Sequence, residues 1–379
     1  MIAESFQKIY GSAPEVVVRA PGRVNLIGEH TDYNDGYVLP AAIDREIEMA
    51  ARRREDNIVR VHSFDYSESV EFSLDGIERD PQHRWSNYVR GVTKLFQAAT
   101  HPFAGADIAF RGNVPREAGL SSSAALEVVT VACWEKLAGI QLDPVFGVKL
   151  AQRAENEFVG LPCGIMDQFA SGLSRANHAL FLDCRDLSFR HVPLRAGVSI
   201  VVCNTGVRRE LTQSEYEVRL KQCRQAVAQL GTTGLAVKSL REVDIEDLES
   251  AREELGDLLY RRARHVVTEN QRVLEAVEAL EGGHLDRFGE LMGKSHESLR
   301  DDYEVSCREL DTLVESAWGQ PGVIGARMTG GGFGGCTVNL VEADAAEDFV
   351  KAVSADYKQA IRRDAEIYVC KASDGALVS

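Results

Sequence analysis

Residues 115 to 127 read P-R-E-A-G-L-S-S-S-A-A-L-E, and they decide the architecture of the chain. A short apolar run, Ala106 to Phe110, precedes them; apolar positions at helical spacing (Ala124, Ala125, Val128, Val129, Val131, Ala132, Trp134) follow as far as Gly139. That order predicts a strand, a loop and the start of an amphipathic helix, with Ser121, Ser122 and Ser123 at the helix N-terminus. The first N–H groups of a helix lack intrahelical partners and its macrodipole is positive there, so the end suits an anion such as a phosphate. A lone serine at a helix start is ordinarily only a cap. Three serines behind Ala118-Gly119, in a chain with a second glycine-rich loop, favour the anion loop.

A chain of 379 residues exceeds what one hydrophobic core usually serves, so two domains are expected. A composition shift near Arg185 to Val198 places their junction, giving residues 1–190 and 191–379. The net charge of −15 argues against a nucleic-acid partner, which needs a basic face. The eight cysteines form no C-x-x-C pair and no zinc spacing, and read as buried free thiols of a reducing compartment. No signal-like start and no run of about 18 apolar residues appears, so no membrane partner is expected and a cytoplasmic location is.

The densest polar cluster lies between Ala20 and Gly36, A-P-G-R-V-N-L-I-G-E-H-T-D-Y-N-D-G. Its tip, Asn34-Asp35-Gly36, reads as a turn. Glu29, His30, Thr31 and Asp32 offer donors and acceptors in a row, which suits a polyol. Trp85 reads as core, or as a neighbour of an adenine. Asp143 and Pro144 cap a helix whose apolar stripe runs to Phe158, with Glu155 beside that stripe and Gly160 at its end. Asp167 stands among Ile165, Met166 and Phe169; a carboxylate in such company is an N-cap, paired or functional. Thr212 to Glu215 form a capping box that opens a helix carrying Tyr216. Gly289 to Ser295, G-E-L-M-G-K-S, imitates a Walker loop but has three residues between its glycines where four are needed, and it lies in a helical run. Gly330 to Gly335 hold five glycines in six residues between two strands, which either makes a mobile hairpin or lets backbone approach a ligand.

The early A-P-G-R-V-N-L-I-G-E-H-T-D-Y, the middle G-L-S-S-S-A-A and the late G-G-G-F-G-G-C together closely resemble the GHMP small-molecule kinases over nearly the whole chain. The first stretch, with C-G-I-M-D-Q at Cys163 to Gln168, is similar to the galactose-phosphorylating branch of that family. The resemblance implies an α/β fold of α+β type in two domains. The N-terminal one has a mixed sheet with helices and the C-terminal one an antiparallel sheet with helices, the site lying in the cleft between. It implies transfer of the ATP γ-phosphoryl group to the anomeric hydroxyl of galactose. Asp167 would be the base or charge partner of that hydroxyl and Arg23 would stabilise the transferring group. Glu29, His30, Thr31, Asp32, Asp167 and Tyr216 would hold the sugar. Glu117, Ala118, Gly119, Leu120, Ser121, Ser122 and Ser123 would hold the ATP phosphates, with Ser63 near the nucleotide and Ser123 and Glu155 on Mg²⁺.

Such chemistry needs alignment and charge neutralisation more than covalent help, which fits this set. Family members usually carry glycine where this chain has Glu117, whose carboxylate is expected to face solvent. A sibling kinase acting on N-acetylgalactosamine, another sugar or mevalonate remains open, as does a non-catalytic galactose and ATP sensor. The intact Ser121 to Ala125 run, with Asp167 and Arg23, weighs against the sensor. No pattern encodes an oligomeric state, and a monomer satisfies this reading.

Overall fold

The computed structural model describes residues 1–115, 118–207 and 212–377, with backbone alone at 212–214. The expectations for Glu117, and for the side chains of the capping box at Thr212, Gln213 and Ser214, therefore lie outside the described residues. Alternation and β-branching produce strands where the sequence shows them. In chain order they are β1 (Val16–Asn25), β2 (Tyr37–Val38), β3 (Pro40–Arg53), β4 (Ile58–Ser63), β5 (Glu68–Ser73), β6 (Ala106–Gly112), β7 (His178–Asp183), β8 (Phe189–Pro193), β9 (Val198–Asn204), β10 (Val323–Thr329), β11 (Cys336–Glu342) and β12 (Glu366–Cys370).

These strands form three sheets. The first has the order β1-β3-β6-β4-β5 and is mixed, because β4 and β6 run parallel while their neighbours pair antiparallel. The second, β10-β11-β9-β12, is antiparallel throughout. A small third sheet, β2-β7-β8, ends at Pro193, just before the second sheet begins at Val198. The expected division at 190/191 falls within β8.

The helix over Ser122–Ala138 lies on β1 and β3. Every residue from Ala124 to Trp134 is buried, Glu127 and Thr130 among them, so the helix is buried all round rather than on one face. Tertiary burial on both sides, which periodicity cannot show, explains the difference. The expectation of two separate cores also changes. The largest apolar cluster runs from the first sheet (Val24, Met49, Ile108) into one face of the second (Ile200, Val202, Val338). A separate cluster fills the other face of the second sheet, beneath the helices Arg308–Trp318 and Ala346–Ile361.

The Walker look-alike is indeed helical, inside Leu285–Asp301. Its Gly289 is there for packing, since a Cβ would stand 1.7 Å from the Ile324 carbonyl oxygen of β10. Among the described residues no helix is long and apolar enough to cross a membrane.

Candidate active site

The site begins with a bulge. The register of β1 against β3 slips between Pro21 and Arg23, and bulges re-aim side chains. Glycine at 22 lets the strand touch the serine loop, because a Cβ there would lie 2.7 Å from the Leu120 carbonyl oxygen. Arg23 is thereby held on the loop: its backbone N–H donates to the Leu120 carbonyl at 3.1 Å and Nη1 to the Gly119 carbonyl at 2.7 Å. Its remaining donors grip Asp167 Oδ1, Nε at 2.9 Å and Nη2 at 2.7 Å.

Asp167 sits in the first turn of the helix Met166–Leu173, so it is not an N-cap. That helix is tied to the same bulge by Ser171, whose hydroxyl donates to the Pro21 carbonyl at 2.7 Å. Ser121 precedes the helix Ser122–Ala138 with φ 60° and makes no side-chain cap. Its hydroxyl instead donates to Asp167 Oδ2 at 2.5 Å. The first intrahelical bond runs from Ala125 to Ser121, which leaves the N–H groups of Ser122, Ser123 and Ala124 free of helix partners and facing a positive dipole end.

Glu155 comes from the neighbouring segment. The helix Pro144–Arg153 opens as expected, with Asp143 accepting the Phe146 N–H at 3.0 Å, but it loosens into a π turn over Ala154–Val159 before Gly160 ends it. Such turns are rare and gather at functional sites. Glu155 is buried there and accepts hydrogen bonds from Gln168 Nε2 at 2.8 Å, from the Cys163 thiol at 3.4 Å and from Ser123. Burial and the nearby Asp167 push its carboxyl up to about 7. The same Gln168 amide donates to Glu127 Oε2 at 2.9 Å. Glu127 is fully buried and held well above the usual carboxylate range by burial and by Glu155. Arg23, Ser123, Glu155 and Asp167 thus share one site.

The polar loop after β1 forms the adjacent wall. Asp32 lies in a single 3₁₀ turn, Asp32–Asn34, and burial with Asp167 nearby raises its carboxyl to about 7. His30 Nδ1 is bonded to the Tyr33 hydroxyl at 2.8 Å, and burial keeps the ring neutral. The Tyr216 ring stands 6.1 Å from His30 and 5.0 Å from Tyr33. Glu29 is almost fully buried and paired with Arg327 of β10, Nη2 to Oε2 at 2.7 Å. Two expectations change. Thr31 is fully buried and its hydroxyl reaches the carbonyls of Gly28 and Tyr37, so it shapes the loop rather than facing a ligand. Ser63 is also fully buried, so it presents no surface to a nucleotide, and its hydroxyl accepts the Tyr66 N–H at 3.4 Å. Trp85 is core, its indole N–H donating to Glu68 at 2.7 Å.

Several supporting residues escaped the sequence reading. Glu269, in the long helix Arg252–Glu281, accepts the N–H groups of Gly28 at 2.9 Å and Glu29 at 3.3 Å and the hydroxyl of Ser295 at 2.6 Å. Its own burial raises the carboxyl, but Arg272, His265 and Arg327 outweigh that and hold it at about 2. Arg327 and Glu269 lie too far along the chain for any local signal. Glu127 was findable, being a carboxylate between Leu126 and Val128, which is the kind of company that singled out Asp167.

A paired arginine and aspartate at an open helix N-terminus, in an α/β frame of three sheets, are the arrangement of a small-molecule kinase of the GHMP type. The comparisons agree along the chain: the GHMP kinases N terminal domain matches residues 87–175, the GHMP kinases C terminal domain 273–359, and a galactokinase galactose-binding signature 4–53. The galactokinases of Roseiflexus sp. (strain RS-1) and Chloroflexus aggregans are each 49% identical to it over 374 residues, which is 99% of this chain and 95% and 96% of theirs. The galactokinase of Lactococcus lactis, solved in complex with galactose, superposes with a TM-score of 0.94 at 40% identity, covering 99% of this chain and 98% of that one. Methanococcus jannaschii mevalonate kinase shares the fold alone, with a TM-score of 0.69 at 18% identity over 96% of this chain and all of the other. The chain belongs to the galactokinase family.

Proposed function

We propose that this galactokinase-family chain transfers the γ-phosphoryl group of MgATP to the anomeric hydroxyl of galactose in the reducing interior of the cell, by way of the residues gathered around Arg23 and Asp167. The observation that carries the reading is the placement of Asp167. Arg23 holds one of its oxygens and Ser121 the other, at the mouth of the serine loop. A carboxylate fixed there orients the acceptor hydroxyl and takes its proton, a contribution typically of ~10²–10⁴-fold. Arg23 neutralises charge on the group in transit, and the free N–H groups of Ser122 to Ala124 cradle the phosphates.

Mg²⁺ fits the donors present. Among the described residues no cluster of three or more His, Cys, Asp or Glu side chains is arranged for a metal, so a resident protein cage is absent. Glu155 and Ser123 instead offer a carboxylate and a hydroxyl beside the loop, the partial ligand set usual for an ion completed by phosphate oxygens and water. The carboxyls of Glu127, Glu155 and Asp32 lie near Asp167 and are raised in part by its charge, so a cation beside them would favour their ionised forms. When bound, the ion supplies charge neutralisation on the nucleotide.

An ADP-release assay across galactose, N-acetylgalactosamine, glucose and mevalonate tests the acceptor, and galactose should lead by at least ~10²-fold in kcat/KM. Asp167→Ala should keep galactose and nucleotide binding measurable by calorimetry while turnover is lost. Near-normal kcat in that variant overturns the assignment.

A further inference from the structure

We infer that Gly164 is a specificity-determining position, because its lack of a side chain is what allows the Asp32 carboxylate to occupy the acceptor wall. The inference rests on the proposed sugar site and concerns how that site is shaped.

A Cβ at 164 would lie 1.6 Å from Asp32 Oδ2, 2.3 Å from its Cγ and 3.1 Å from its Cβ. All of its nearest contacts therefore belong to one side chain. Gly164 is not among the glycines with positive φ, so backbone conformation makes no demand for glycine here. The requirement is purely steric, and its object is Asp32.

Both backbones are tied by hydrogen bonds. Next to Gly164, the N–H of Cys163 donates to Asn156 Oδ1 at 2.8 Å, and the Cys163 carbonyl accepts from Gln152 at 3.3 Å and Asn156 at 3.4 Å. Around Asp32, the Asn34 and Gly36 N–H groups donate to the Thr31 carbonyl at 3.0 and 2.9 Å, and the Thr31 hydroxyl is bound to the carbonyls of Gly28 and Tyr37. What remains free to move is the Asp32 side chain itself. A methyl group at 164 turns its carboxylate away, and the sugar hydroxyl that it accepts loses its partner. Loss of a hydrogen bond to a charged group reads as ~10–100-fold in affinity. Asp32 lies beside Asp167 and Tyr216, so the displaced oxygen would come from the acceptor side of the cleft rather than the nucleotide side.

The test is a double-mutant cycle in the full chain: wild type, Asp32→Ala, Gly164→Ala and Gly164→Ala/Asp32→Ala, with KM for galactose and for ATP measured for each. Gly164→Ala should raise the galactose KM about 10- to 100-fold, with kcat and the ATP KM within about 3-fold. In the Asp32→Ala background the added methyl should change the galactose KM by less than about 2-fold, since nothing is left to clash. Monodeoxygalactoses supply the specificity readout: the Gly164→Ala defect should vanish for the sugar lacking the hydroxyl that Asp32 accepts. Unchanged galactose KM in Gly164→Ala, or an equal defect with and without Asp32, overturns the inference while leaving the sugar site standing. Unchanged galactose KM in Asp32→Ala overturns the sugar contact itself.

Discussion

Replacing Arg327 with methionine should unsettle both stability and acceptor binding. Arg327 is completely buried. Nη1 donates to the Asn25 carbonyl at 2.9 Å and Nη2 to Glu29 Oε2 at 2.7 Å, joining the second sheet to the loop that follows β1. Removing one member of a buried pair strands the other charge, at about 3–5 kcal/mol. With an unfolding entropy near 2.1 cal/mol/K per residue, 379 residues give about 0.8 kcal/mol/K, so melting should fall by ~4–6 °C. Burial already raises the Glu29 carboxyl and Arg327 opposes that rise, so the variant should push it further and Glu29 should take up a proton. Differential scanning calorimetry with galactose KM in parallel reads both effects. The partner substitution separates charge from packing. Glu29→Gln/Arg327→Met removes both charges and should melt well above the sum of the single losses. An Arg327→Met protein melting within 1 °C of wild type, or strict additivity in the double variant, would refute the reasoning.

Two further outcomes follow from the site's carboxylates. Asp32 has a folded-state value of about 7 against an ordinary 3.8, so the native protein holds more protons than the unfolded chain between those values and stability contributed there falls as pH rises. Asp32→Asn should therefore gain in melting temperature over wild type from pH 4 to pH 7 and gain no more above it; a difference that does not vary with pH counts against the assignment. Gln168→Leu removes the amide that holds Glu127 and Glu155 together, and should raise the Mg²⁺ concentration for half-maximal activity by ~10-fold, with galactose KM nearly constant. A magnesium titration that superposes on wild type would exclude this role.

Local chemistry made much of this molecule legible. The serine loop, the Asp143-Pro144 helix start, the Gly160 stop and the false Walker stretch all follow from residues within a few positions of one another: one helix begins at Ser122, Asp143 caps the next, Gly160 ends the segment after it, and the Walker look-alike is helical. The π turn at Glu155 was not legible, because its apolar stripe is compatible with an unbroken α-helix. Thr31 and Ser63 show the limit from the other side. Thr31 stands in a polar stretch and Ser63 enters through the family resemblance alone, and only tertiary packing reveals that carbonyls or an N–H already engage their hydroxyls. Partners such as Arg327 for Glu29 lie roughly three hundred positions away, beyond any periodicity.

Glu269 has a consequence in time. Its carboxylate fastens the N–H groups at Gly28 and Glu29, a separation of 241 positions for the first of them. At ~5–20 residues per second, a ribosome delivers Glu269 roughly 10–50 s after Gly28. During that interval the nascent acceptor loop has strands on which to lean but no clasp. Prematurely ended chains that stop short of residue 269 would then carry every amino acid of the first sheet and still lack a formed seat for the sugar.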